Sequence, residues 1–276
     1  MRNGTRSSEH GSLPGPPTDP LSAPGSLSSR GSLSGPGPGE CPGAGLRPLV
    51  LVAHGSRSDA ADAVVQEIAA GARTALPGVE VRVGYVDVRS PAVADAVRGL
   101  DGAVVLPAFL ASGYHVRTDL PAQLGEVGAG PDRFVVTPAL GPDPLLVRAA
   151  LARLADAGHR PGDTVVLAAA GSSDAAALAE VRTAGRMLAD ALGRGVRTGF
   201  AATAAPRIDA LVDGLRRAGS ERISVVSWLL APGVFHTRIR AAGADAVGDP
   251  LGAHPDVVAA VVERYRAGVE SGRLAA

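Results

Sequence analysis

The order of motifs in the first half of this chain recurs in the second, and that recurrence limits what the chain can fold into. Leu49-Val50-Leu51-Val52-Ala53 is an apolar run followed by His54-Gly55-Ser56-Arg57, and Thr164 to Ala169 is a like run followed by Ala170-Gly171-Ser172-Ser173. Ser112-Gly113-Tyr114-His115 answers to Pro232-Gly233-Val234-Phe235-His236, and Leu140-Gly141-Pro142-Asp143-Pro144 to Leu251-Gly252-Ala253-His254-Pro255. Spacings that drift by a few residues while the order holds are what duplication of one domain leaves behind.

Each repeat alternates strand and helix. In the first, strands are expected over Pro48 to Ala53, Val79 to Val88, Ala103 to Leu106 and Phe134 to Thr137, because short apolar or alternating runs bounded by turn residues are the strand signal. Helices are expected from Asp59 to Leu76, from Pro91, after a Gly-containing loop through Ser112, Gly113 and His115 as far as Val127, and from Leu145 to Ala157. Pro91 suits a first helical position, where its missing N–H would have no partner anyway. The second repeat reads as strands Thr164 to Ala169, Val196 to Ala201 and Ile223 to Leu229, with helices from Asp174 and Pro206. Alternating β and α elements with short connections imply parallel sheets with right-handed crossovers. The expected fold class is α/β: two tandem duplicated domains, 47–160 and 161–276, each a four-stranded parallel sheet with helices on both faces. Residues 1–46, rich in Gly, Ser and Pro, are expected to be a disordered leader, with an organelle transit peptide as the rival reading of its Ser and of Arg2, Arg6 and Arg30.

Lys+Arg and Asp+Glu are equal at 27 each, all the basic residues being Arg, so no global field directs the chain to nucleic acid or to an acidic membrane. No apolar run approaches the length of a membrane span, and the single cysteine, Cys41, builds neither a disulfide nor a cysteine metal site. The expectation is a cytoplasmic protein, monomeric, with two pseudo-symmetric domains.

In an open α/β sheet, ligands bind beyond the carboxyl ends of the strands. His54 ends the first strand, Asp87 the second, and His115 follows the third, so two imidazoles and a carboxylate can meet on one edge. Such a trio suits Fe²⁺, Co²⁺, Ni²⁺ or Zn²⁺ and leaves coordination positions open, and an imidazole can also take a proton near neutral pH. The plainer alternatives are a capping or hydrogen-bonding role for His54 and His115, and a loop pairing of Asp87 with Arg89 or Arg117. Arg57, Arg89 and Arg117 flank the three positions and would suit a polyanionic ligand, unless they are solvated charges. His159 reads as a solvated turn residue, His254 as shaping a turn before Pro255, and His10 falls in the leader.

Leu51-Val52-Ala53-His54-Gly55-Ser56-Arg57, the later Leu110-Ala111-Ser112-Gly113-Tyr114-His115 with Asp119, and the duplicated βα unit together resemble the sirohydrochlorin chelatases of the long, two-domain CbiX/SirB type. The resemblance covers about residues 47 to 270. It implies that His54 and His115 take up the metal and deprotonate the macrocycle, with Asp87 the nearest match to an acidic residue that is often Glu. Ser56, Arg57, Arg89, Gly113, Arg117 and His236 are the expected substrate contacts. It further implies sirohydrochlorin and a divalent metal as substrates, Fe²⁺ first and Co²⁺ as the alternative, with no tightly bound cofactor. The second repeat has Ala170 at the position of His54 but is expected to keep His236 as the counterpart of His115, which leaves half a pair and one active site per chain. A histidine-dependent phosphoryl-transfer enzyme and a non-catalytic tetrapyrrole or metal carrier are the readings from other classes.

Overall fold

The computed structural model describes residues 46–128 and 133–274, without the side chains of His115, Arg273 and Leu274. Residues 1–45 of the expected leader lie outside the described residues.

The first repeat runs β1 (Leu49–Ala53), α1 (Asp59–Ala75), β2 (Val81–Tyr85), α2 (Val93–Ala96), β3 (Ala103–Pro107), a π-helical turn (His115–Asp119), α3 (Leu120–Glu126), β4 (Phe134–Val136) and α4 (Pro144–Asp156). The second runs β5 (Thr164–Ala169), α5 (Ala175–Leu192), β6 (Val196–Phe200), α6 (Ile208–Arg217), β7 (Ile223–Trp228), α7 (Val234–Arg240), β8 (Ala246–Val247) and α8 (Pro255–Leu274). Both sheets are wholly parallel, ordered β2-β1-β3-β4 and β6-β5-β7-β8. Every residue of β1 is buried, as a central parallel strand covered on both faces requires. Helix α1 buries Ala61, Val65, Ile68, Ala69 and Ala72, one stripe at helical spacing, against that sheet.

The chain leaves β1 toward β2 on one side and then crosses to β3 on the other, so the crevice at the carboxyl ends of β1 and β3 is a topological switch point. The second sheet has the same point between β5 and β7.

Three expectations about local structure are corrected. Helix α2 does not begin at Pro91, nor α6 at Pro206: Tyr85 N–H donates to Pro91 O and Phe200 N–H to Pro206 O, so each proline segment stays beside its strand and the helix starts two residues later. β2 ends at Tyr85, before Asp87. His115 opens a helical turn instead of lying in the loop, because Gly113 O accepts the N–H groups of Val116 and Arg117.

The repeats also exchange their last helices. Helix α8 lies on the first sheet, where a Cβ at Gly268 would stand 2.7 Å from Val104 Cγ1 and Tyr265 OH donates to Arg47 O at 2.6 Å. Helix α4 reaches the second half through Arg153, which donates to Leu251 O at 3.2 Å. One apolar cluster accordingly contains Leu49, Leu51 and Leu146 together with Val165, Leu167 and Val261. His159 is not a solvated turn residue: its side chain is 15% exposed, with Nδ1 3.5 Å from the buried Asp163 carboxylate. His254 Nδ1 accepts the Asp256 N–H at 3.2 Å, at the start of α8.

Candidate functional site

His54 stands at the carboxyl end of β1, at the first switch point, with its residue exposed. The turn that carries it is fixed by Gly55, at φ +93°, where a Cβ would lie 2.0 Å from Asp87 O. Only glycine combines that backbone conformation with that approach. Asp87 N–H donates to His54 O at 3.0 Å, and Ser56 Oγ accepts the Ser58 N–H at 3.1 Å. Two stretches far apart in sequence are thereby stitched into one edge.

Two cavities meet at this edge. One, of about 250 Å³, has His54, Ser56, Asp62 and Tyr85 on one wall, and Leu229 to His236 of the second repeat on the other. The second, of about 540 Å³, sets Ala170, Ser172 and Leu178 of the second repeat against Phe109, Gly113 and Tyr114 of the first. They are the same construction twice: the edge of one sheet faces the loop after the third strand of the other. His54 belongs to both, so it stands where the two join.

The remaining expected site residues divide. Ser56 and Gly113 lie in the cavity walls, and the backbone of His115 follows directly on the second cavity. The His115 side chain lies outside the described residues. Asp87 is exposed, and its Oδ1 accepts the N–H of Val88 at 2.8 Å, beside the His54 turn. Among the described residues no group of three or more His, Cys, Asp or Glu side chains is placed to hold a metal ion. Arg57 is exposed and outside both walls. Arg89, expected to clamp an anion, turns instead onto the protein: Nη2 lies 2.8 Å from Asp59 Oδ1, Nη1 3.3 Å from Asp62 Oδ2, and Nε donates to Ser56 O at 2.9 Å. Arg117 faces Glu180 at 3.5 Å and Asp174 at 3.9 Å, both from the second repeat. Glu180 also accepts the Ser112 N–H at 2.5 Å, so one carboxylate holds the chain on both sides of His115.

The pairing of His115 with His236 is corrected. Arg117 N–H donates to Gly113 O just as Thr237 N–H donates to Gly233 O, which puts Phe235 opposite His115, and His236 opposite Val116. In the same way Ala202 N–H donates to Ala170 O, so Ala202 stands where Asp87 stands. All three candidate ligand positions of the first repeat are therefore Ala170, Ala202 and Phe235 in the second. His236 is buried in the cavity wall, and burial holds its imidazole below the usual value, only partly offset by Asp249 at 3.9 Å.

Sequence reasoning did not single out Asp62, Tyr85 and Gln66. Tyr85 OH donates to Asp62 and accepts from Gln66 Nε2 at 3.0 Å, and burial followed by the Asp62 contact pushes its hydroxyl up to about 12. The signal lay in the repeat: Asp62 and Tyr85 correspond to Leu178 and Phe200.

Two parallel sheets with facing switch points, joined by one cleft, define a tandem chelatase-like α/β protein. Residues 48–157 and 164–267 each match the CbiX family, so the chain belongs to that family. Curated relatives include the sirohydrochlorin cobaltochelatase of Methanopyrus kandleri, 39% identical over 28% of this chain and 57% of its own length. That of Sulfolobus acidocaldarius is 30% identical over 36% of this chain and 82% of its own length. The chain thus spans little more than half the length of the first of these. Among solved structures, Bacillus subtilis SirB with Fe³⁺ superposes with a TM-score of 0.71 at 20% identity, covering 82% of this chain and 97% of its own, a likeness of fold. CbiX, the terminal enzyme of sirohaem biosynthesis in denitrifying bacteria, gives 0.62 at 27% identity over 80% of this chain and 99% of its own. Among the described residues no helix is long and apolar enough to cross a membrane.

Proposed function

We propose that this protein inserts a divalent metal into sirohydrochlorin, with Fe²⁺ giving sirohaem. The observation that carries the reading is the place of His54: at a switch point, on the wall common to two cavities, with an alanine at the matching place in the other repeat. Insertion needs a metal relieved of part of its water and held by ligands that let go, and it releases two pyrrole N–H protons as M²⁺ enters. A neutral imidazole is both a metal ligand and a base at pH 7. In this reading His54 and His115 hold the incoming ion and, once it has passed to the macrocycle and freed their lone pairs, accept those protons, and Asp87 adds a carboxylate from beside the His54 turn. The macrocycle lies in the cleft, against the apolar wall that includes Phe109 and Phe235. With Arg89 and Arg117 engaged by protein carboxylates, the exposed Arg57, next to Ser56 of the cavity wall, is offered to the substrate's carboxylates.

Cobalt is the second reading, supported by the cobaltochelatase names of the relatives. Imidazoles that bind Fe²⁺ bind Co²⁺ at least as well, so ligand chemistry does not separate the two. Both substrates are small and the cleft is built from one chain, so a monomer suffices. The test is anaerobic incubation of the protein with sirohydrochlorin and either ion, followed by the absorption of the macrocycle. Insertion accelerated over the protein-free rate is expected. Binding of sirohydrochlorin without acceleration by either ion would make the protein a carrier.

A further inference from the structure

The two sheet edges share their backbone and differ in one layer of side chains beneath the turn. In both repeats a glycine at positive φ packs on the carbonyl of the facing loop, 2.0 Å from a would-be Cβ at Gly55 and at Gly171. In both a backbone N–H crosses to the strand end, from Asp87 to His54 and from Ala202 to Ala170. In both a serine hydroxyl accepts the N–H two residues on, Ser56 from Ser58 and Ser172 from Asp174.

The side chains below do not match. Matching hydrogen bonds fix the correspondences: Asp62 N–H to Ser58 O and Leu178 N–H to Asp174 O, Arg89 N–H to Asp87 O and Ala204 N–H to Ala202 O. Tyr85 pairs with Ala53 as Phe200 pairs with Ala169. Thus Asp62, Tyr85 and Arg89 of the first repeat are Leu178, Phe200 and Ala204 of the second. In the first they form a continuous chain in which Gln66 donates to Tyr85, Tyr85 to Asp62, and Arg89 bridges Asp62 and Asp59. The third nitrogen of Arg89, Nε, donates to Ser56 O at 2.9 Å, inside the His54 turn. A planar guanidinium with every edge occupied is a rigid strut, and its orientation is set by the carboxylates behind it. The second repeat folds the same turn without any of this, so the network is not needed to make the turn.

We infer that Tyr85, Asp62 and Arg89 are positioning residues that hold the His54-Gly55-Ser56 turn in one geometry. Arg89, which lines neither cavity, acts on His54 through the Ser56 carbonyl, and Asp62 and Tyr85, in the cavity wall, act through Arg89. Arg89 is a strut and not an anion clamp. The inference deepens the chelatase reading, and its effect on rate rests on that reading. Its effect on the turn does not.

The second repeat supplies the test variants, since Arg89→Ala, Asp62→Leu and Tyr85→Phe install residues that this backbone already accommodates. Each is made in the full-length chain, and the His54 imidazole resonances, identified by their loss in His54→Ala, are followed by NMR. Arg89→Ala and Asp62→Leu are expected to shift or broaden these resonances, and the double variant to do no more than either alone, because residues acting through one strut are not additive. Insertion kcat is expected to fall about a hundredfold, the scale of a misplaced catalytic group, while KM for sirohydrochlorin moves less than about threefold. Arg89→Ala that leaves the His54 resonances unmoved would overturn the inference. So would a large rise in KM with kcat kept, which would make Arg89 a substrate clamp. His54 resonances that move in a chain showing no insertion at all would sustain the strut and sink the chelatase reading.

Discussion

At the carboxyl edge of the first sheet the chain presents His54, Asp87 and the turn beginning at His115; at the same edge of the second it presents Ala170, Ala202 and the turn beginning at Val234-Phe235. The backbone hydrogen bonds that shape these edges are common to both. The difference teaches that the scaffold of the site and its chemistry are separable: a sheet edge, a glycine turn and a facing loop persist with alanine or phenylalanine at all three candidate ligand positions. It also shows what the second repeat retains. Glu180 holds Ser112 and Arg117, and the Leu229 to His236 segment forms the far wall of the smaller cavity. The second repeat supplies a wall and holding contacts to the edge of the first.

The largest effect should come from making the first edge resemble the second at its centre. His54→Ala is expected to lower the insertion rate by about a thousandfold or more, since in the proposed role of His54 it removes a ligand and a base together. Thermal stability should change little, because His54 is exposed. Steady-state insertion beside a melting curve checks both. Retention of most of the rate would mean that the two edges do not differ in the way described.

Next comes the link between repeats. Glu180→Ala frees the Ser112 N–H and one partner of Arg117, and is expected to cost about tenfold in kcat, about 1.4 kcal/mol. Glu180→Gln keeps an acceptor for Ser112 and should recover most of the loss, measured in the same assay. A Gln variant as slow as the Ala variant would show that the charge on Arg117 matters and the loop contact does not.

The smallest effect belongs to His236. Buried and below its usual pKa, it stays neutral in the fold at a pH where the unfolded chain already takes a proton. The unfolded state then binds more protons, so stability is lost as pH falls below about 6.5 toward the folded value, and no further below it. His236→Gln should flatten that stretch of a stability–pH curve and leave the insertion rate within about tenfold, the bound expected of a wall residue. A collapse of kcat as deep as that of His54→Ala would place His236 on the metal.

Much of the fold was legible because strands and repeats write themselves in hydrophobic runs. β5 occupies Thr164–Ala169 as read, and both sheets are parallel with four strands. Two-residue β8 is too short to leave a periodicity. The exchange of α4 and α8 was not legible, because an amphipathic stripe tells which face is buried and not what covers it. At the site, the strand-end place of His54 followed from one apolar run and one glycine. The match of His115 to His236 paired residues by type, where the backbone pairs them by hydrogen bond and puts Phe235 in that place. The strut beneath His54 belongs to no motif. Asp62 on a helix, Tyr85 in a strand and Arg89 in a loop look unrelated until the second repeat shows Leu178, Phe200 and Ala204 in their stead.

The central claim is that the chain carries one working edge, and counting metal sites tests it most directly. Titration of the full-length protein with Co²⁺ under anaerobic conditions, read by visible absorption, is predicted to give one site per chain in the wild type and none in His54→Ala. Two sites per chain, or a single site that survives His54→Ala with unchanged affinity, would contradict it.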